Sequence, residues 1–275
     1  MNPGLAVDFL SPSENALADE FSACGYIVRD VEDRPMLDAF RHEIAGFAAT
    51  VLKLARPADD GEFLDGIHRH LTLETINDFR LKMYREINAQ PWFRPTYFKL
   101  AARMIEALVG NELAMQNRIN LSIQMPDDTT SLLDLHADSF TGETPYQVVE
   151  WLPLVDVAKT KSMFVLPLEK SRAVSTHLKD FAEGGMPALY EAIKADLIWL
   201  EVPYGKVVVF SPNILHGNIL NREPGTRWSL NTRLTGLFTP YGSAEKTLGS
   251  YYLPITLRPV TRAGMAYRQP AGFEE

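Results

Sequence analysis

The chain has 275 residues, 46% of them apolar and 23% charged, enough to bury a sizeable core as one domain. Its formal charge of −8, with no long basic run and no basic stripe interleaved with aromatics, argues against a nucleic-acid partner. Cys24 is the only cysteine, which excludes an intramolecular disulfide and a thiolate zinc cluster and points to a reducing compartment, the cytoplasm.

The N-terminus lacks a basic stretch followed by an apolar one, and no segment reaches the ~18 uninterrupted apolar residues of a spanning helix, so a soluble protein is expected. Ser13–Glu14 opens an amphipathic run to Phe21, Gly25 closes it, and a short strand follows at Tyr26–Val28. Met36 to Leu54 carries Leu37, Phe40, Ile44, Phe47, Val51 and Leu54 at helical spacing. A second helical block runs from Leu73 to about Val109, broken around Pro91 and Pro95.

From Gln116 the chain turns to short β-rich segments: Asn117–Met125, Gln147–Val155, Ser162–Pro167, Ile198–Val202, Lys206–Ser211 and Thr226–Leu237. One helical insertion, Pro187 to Ala195, lies among them, and Thr239 to Glu275 reads as a wrapped tail. Many short strands after a helical leader predict a β-sandwich or open barrel decorated with helices.

His136–Ala137–Asp138 is the first chemically informative stretch. In extended backbone, residues i and i+2 share a side, so His136 and Asp138 can reach one metal. His216 follows the β run Lys206–Phe210 and is the candidate third ligand. Two imidazoles and one carboxylate leave open positions, as non-heme Fe(II) requires. His68 and His70 share the spacing but lack a nearby acid, and His42 and His177 read as surface residues.

The strand from Thr226 alternates: Arg227, Ser229, Asn231 and Arg233 on one face, Trp228, Leu230, Thr232 and Leu234 on the other. A polar face turned inward is costly unless it meets a ligand or water, and Arg227 suits a carboxylate through a bidentate pair. Arg118, Asn120, Ser122 and Gln124 form a similar polar stripe. A solvent-facing stripe is the alternative in both strands.

The order Leu135–Asp138, Trp151–Asp156, Leu166–Ser171, Gly205–Phe210, His216 and Arg227 resembles the phytanoyl-CoA-dioxygenase-like branch of 2-oxoglutarate oxygenases. The resemblance spans roughly 116 to 237. It implies a double-stranded β-helix (a cupin-like jelly roll), iron at His136, Asp138 and His216, and 2-oxoglutarate and O₂ as cosubstrates. It also implies that Arg227 and Ser229 grip the distal carboxylate of 2-oxoglutarate. Trp151, on the strand after the metal pair, is a candidate wall of that pocket, with ordinary core packing as the alternative, and Gln124 and Asn120 are candidate contacts to 2-oxoglutarate or substrate. On this view 1–275 is a single oxygenase domain: a largely helical leader at 1–115, the β-helix core at 116–238 and a C-terminal tail at 239–275.

Thr160–Met163 and the block from His216 to Asn231 resemble a narrower group, oxygenases encoded among bacterial surface-carbohydrate biosynthesis genes. That implies a small-molecule substrate such as a sugar or nucleotide-sugar. Lys159, Lys161 and Arg172 are then candidates for its phosphate, with exposed loop charge as the alternative. Asp138 stands where a related halogenase would need a small residue, and Pro167–Ser171 replaces the broader family's Pro-Gly-Ser-His. Two other readings use the same ligands: a cupin-like metal-dependent isomerase or hydrolase, and a non-catalytic metal-binding protein. A homodimer is compatible with all of them.

Overall fold

The computed structural model describes residues 8–181 and 183–272. The leader forms α1 (Pro12–Cys24), β1 (Tyr26–Asp30), α2 (Arg34–Leu52), α3 (Asp60–Asp65), α4 (Ile76–Asn88), α5 (Phe93–Lys99) and α6 (Ala102–Val109). Then come β2 (Leu113–Gln116), β3 (Asn120–Gln124), β4 (Gln147–Pro153), β5 (Phe164–Val165), α7 (Leu168–Thr176), α8 (Gly185–Ile193), β6 (Ile198–Trp199) and β7 (Lys206–Phe210). The chain finishes with β8 (His216–Gly217), β9 (Arg227–Gly236), β10 (Tyr252–Thr256) and α9 (Pro259–Ala266).

Two antiparallel sheets face each other as a jelly roll, the fold class expected. The larger has seven strands in the order β1-β7-β4-β9-β2-β10, with β3 also paired to β9; the smaller is β6-β5-β8. A two-residue bridge between His136 and His216 adds the segment around His136 to the edge of the smaller sheet. The larger sheet reaches beyond 116–238, because β1 and β2 come from the leader and β10 from the tail.

Strand β9 organises the core. It pairs with β4 along most of its length, with β3 through Arg227–Asn231 and with β2 through Leu234–Gly236. Its apolar face meets the helices: Trp228 is fully buried, donates from Nε1 to the Leu64 carbonyl at 2.8 Å, and packs edge-on against Phe79. The Tyr97 hydroxyl, from α5, donates to the carbonyls of Leu230 (2.9 Å) and Glu150 (3.1 Å). Arg227 and Ser229 are equally buried on the opposite face, so the stripe is not solvent-facing. The outer side of the smaller sheet is closed by Leu189 and Ile193 of α8 packed on Phe164, Leu166 and Leu215.

Several boundaries move for local reasons. Ser11, not Ser13, caps α1, in a capping box with Glu14 and with Pro12 opening the helix. Gly25 ends α1 at φ +80°, and an added Cβ would lie 2.5 Å from the Ile214 side chain. That close approach, with the Ser211 amide on the Gly25 carbonyl at 2.8 Å, fixes the loop leading to His216. The helical block breaks at Gln90–Trp92, whereas Pro95 sits in the first turn of α5, where a missing N–H costs little. Helix α7 and strand β2 were not expected. The tail adds a strand and a helix.

Glu150 of β4 points to the helical side, fully buried, with neither carboxylate oxygen hydrogen-bonded among the described residues. Burial, with the charge of Glu32 nearby, raises its pKa well above the ordinary 4.5. The folded protein therefore retains a proton that the unfolded chain releases, and stability falls as pH rises above about 4.5. Glu150→Gln should remove that slope. In thermal melts its gain over wild type should grow from about pH 5 to about pH 8; a constant difference would contradict the assignment.

Candidate metal centre

His136, Asp138 and His216 each offer a ligand atom, and these atoms lie within 4.8 Å of one another. The bridge makes this automatic for the histidines: the His136 amide donates to the His216 carbonyl at 3.0 Å and the reverse bond is 2.8 Å. Their rings sit 4.3 Å apart between centroids. Ala137 is extended (φ −115°, ψ 140°), which turns Asp138 to the same side as His136, and the chain then bends away through Gly142. His136 Nε2 and Asp138 Oδ1 are 3.6 Å apart.

Both imidazoles are oriented the same way. His136 Nδ1 contacts the Asp134 carbonyl at 2.7 Å and His216 Nδ1 the Ile214 carbonyl at 3.0 Å. A carbonyl only accepts, so each Nδ1 carries a proton and each Nε2 faces the site; burial lowers the pKa of His136, but Asp138 beside its Nε2 and the Asp134 carbonyl outweigh that and raise it. Burial, opposed by Asp138, pushes His216 down to about 4, so it is neutral near pH 7. Asp138 is held far below the usual carboxylate range: burial opposes ionisation, but His136 and Arg233 outweigh it.

Arg233 is the residue sequence reasoning missed as a site member. It forks onto Asp138, Nη2 to Oδ1 at 2.8 Å and Nε to Oδ2 at 3.0 Å. Its place in the polar stripe of β9 was the available signal. Arg80 of α4 was not anticipated either; it pairs with the buried Asp128 and donates to the Ile123 carbonyl.

These groups line one cavity of about 320 Å³ between the sheets, reaching from the three ligands to Arg227 and Ser229. Trp151 forms part of its wall, with Val149, Met163 and Phe210. Leu132 and Leu133, 46% and 50% exposed, also border it. Arg227 is 3% exposed; Nη1 donates to the Ser162 carbonyl at 3.2 Å and Nη2 to Ser122 Oγ at 3.1 Å. Its Nε has no partner, nor has Ser229 Oγ, and no carboxylate among the described residues pairs with it. Burial and the charge of Arg80 pull its pKa down to about 10, against the attraction of Asp128. A buried guanidinium without a carboxylate partner, beside an orphaned hydroxyl, has the chemistry to accept an anion.

Other candidates lie elsewhere. Asn120 Nδ2 donates to Asn231 Oδ1 at 3.0 Å, and Gln124 Nε2 to the Ile219 carbonyl at 2.8 Å; neither lines the cavity. Lys161 is buried and paired with Asp65 rather than loop-exposed, while Lys159 and Arg172 are exposed. Arg118 lies exposed, outside β3. His68 Nδ1 contacts Thr226 Oγ1 at 2.9 Å, and His42 and His177 pair with Asp60 and Asp180. No helix among the described residues is long and apolar enough to cross a membrane.

No protein-family model and no curated protein matches the sequence. Solved structures share its fold. ThoJ, a non-heme monooxygenase solved as a nickel complex, is 15% identical with a TM-score of 0.57, over 93% of this chain and 89% of that one. HygX from Streptomyces hygroscopicus, with nickel and 2-oxoglutarate bound, is 17% identical with a TM-score of 0.54, over 84% and 89%. EctD from S. alaskensis, with 2-oxoglutarate and 5-hydroxyectoine, is 18% identical with a TM-score of 0.54, over 86% and 80%. At this identity the likeness is one of fold, a jelly roll that holds nickel in ThoJ, 2-oxoglutarate in EctD and both in HygX.

The bridge depends on Gly217. An added Cβ would lie 2.9 Å from the Leu133 carbonyl and from Phe164, and 3.2 Å from the Asp134 carbonyl that orients His136. Gly217→Ala should destabilise the fold by about 1–3 kcal/mol and weaken Ni(II) binding, whereas His68→Ala should leave Ni(II) affinity unchanged. Calorimetric titration checks both; unaltered binding by Gly217→Ala would contradict the packing argument.

Proposed function

We propose that this protein is a non-heme Fe(II)/2-oxoglutarate-dependent oxygenase of the phytanoyl-CoA-dioxygenase-like branch, acting in the cytoplasm on a small metabolite such as a sugar or nucleotide-sugar in carbohydrate biosynthesis. One observation carries the cofactor assignment. A His–Asp–His donor set and a buried guanidinium with no carboxylate partner among the described residues share one cavity. The carbohydrate reading is supported by the resemblance of Thr160–Met163 and of the His216–Asn231 block.

The donor set fits a divalent metal with open positions: Nε2 of His136, Nε2 of His216 and a carboxylate oxygen of Asp138 would hold it. When bound, iron with 2-oxoglutarate and O₂ supplies a two-electron oxidation that inserts one oxygen atom into a C–H bond and yields succinate and CO₂. The chain's own residues bind, orient and exclude water. Arg227 Nε and Ser229 Oγ, two cavity-lining groups that otherwise have no hydrogen-bond partner among the described residues, take the distal carboxylate of the keto acid. Val149, Trp151, Met163 and Phe210 keep that region dry, which strengthens the charge pairing. Arg233 holds the Asp138 carboxylate in one orientation. Asn218 accepts from the Leu133 amide at 2.8 Å and donates its own amide to the Leu133 carbonyl at 3.0 Å, which pins the segment beside His136. Substrate enters past Leu132 and Leu133.

Arg227→Met should lower 2-oxoglutarate affinity by roughly 10–100-fold, abolish succinate formation and leave Mn(II) affinity intact. Calorimetry with Mn(II)-loaded protein and a succinate assay read these out. Normal turnover of a substrate by the variant, without succinate, would favour a metal-dependent isomerase or hydrolase instead.

A further inference from the structure

Glu143 lies between the turn that carries Asp138 and strand β4, 3% exposed. Five side chains converge on its carboxylate. Lys246 Nζ is 2.9 Å from Oε1, the Tyr251 hydroxyl donates to Oε1 at 2.8 Å and the Tyr252 hydroxyl to Oε2 at 2.7 Å. Gln147 Nε2 donates to Oε2 at 3.4 Å, and Arg233 Nε stands 3.5 Å from Oε1. Burial opposes ionisation of Glu143, but Lys246, the tyrosines and Arg233 together hold its carboxyl below the usual range.

Three of these five partners come from the segment after β9. That segment is therefore joined to the metal centre through Glu143, Arg233 and Asp138, although Glu143 and the tail residues do not touch the ligands. The charges alternate along the path: Lys246 positive, Glu143 negative, Arg233 positive, Asp138 negative. Arg233 acting on Asp138 alone would draw negative charge from a ligand that must attract a dication. Glu143 shares that positive charge, and Lys246 in turn offsets Glu143.

We propose that Glu143 is a positioning residue that sets metal affinity through Arg233, with Lys246 acting in the opposite sense. The segment around residues 246–252 thereby tunes the centre from outside it. The inference rests on the metal-binding reading of His136, Asp138 and His216. An ordinary packing role for the cluster makes a different prediction: loosening it from either end would weaken the site.

The test is calorimetric titration of the metal-free protein with Ni(II) at low ionic strength, with the Co(II) d–d spectrum as a probe of ligand geometry. Glu143→Gln should weaken Ni(II) binding by about tenfold and alter the Co(II) spectrum. Lys246→Met should tighten binding by about two- to threefold, a gain that shrinks at high salt because Lys246 is partly exposed. Changes of the same sign in both variants, or none in either, would overturn the proposal. Should Glu143→Gln fail to fold, Lys246→Met decides alone: tighter binding supports the proposal, unchanged or weaker binding overturns it. Wild-type binding that His216→Ala abolishes establishes the metal site independently; no Ni(II) binding by wild type would remove that reading and this inference with it.

Discussion

The two backbone hydrogen bonds between His136 and His216 are the constraint on which the site depends. They bring together residues eighty positions apart and aim both Nε2 atoms at one point, with each ring fixed by a carbonyl two residues upstream. Everything around the bridge serves it. Gly217 permits the close approach of residues 133–134, Gly25 lets α1 seat against Ile214, and the extended Ala137 delivers Asp138 to the same side. A site assembled from main-chain pairing is preorganised before any metal arrives, so binding does not have to meet the cost of ordering its ligands.

Electrostatics explains why the opposite wall is built as it is. Strand β9 is buried on both faces, yet one face carries two arginines. Arg233 is compensated by Asp138 and Glu143, while Arg227 has no carboxylate partner among the described residues. The contrast on a single strand separates two jobs. One guanidinium is spent on Asp138, and the other, on the proposed function, is left for an incoming anion. The Trp228 side of the strand, locked into the helices through Leu64 and Phe79, holds both at fixed depth.

Much of this was legible because it is periodic. Alternation along β9 persists over ten residues, and the spacing of His136 and Asp138 needs only one extended residue between them. What was hidden is non-local. The Arg80–Asp128 pair and the Glu143 cluster join side chains distant in sequence, and nothing in a short window marks them. Gln124 and Asn120 belong to the same stripe, but spacing alone does not show that their amide nitrogens donate to the Ile219 carbonyl and to Asn231. Strand β2 fell in the unassigned stretch between the helical block and Asn117, because Leu113–Gln116 is only four residues long and just three residues, Gly110 to Glu112, separate it from α6.

The central claim is that one cavity holds a metal and a keto acid together. Anaerobic addition of Fe(II) and then 2-oxoglutarate, followed by visible absorption, tests it most directly. A weak charge-transfer band that needs both components and is absent in His216→Ala is the predicted result. No band in wild-type protein, with iron affinity unchanged in His216→Ala, would contradict the account.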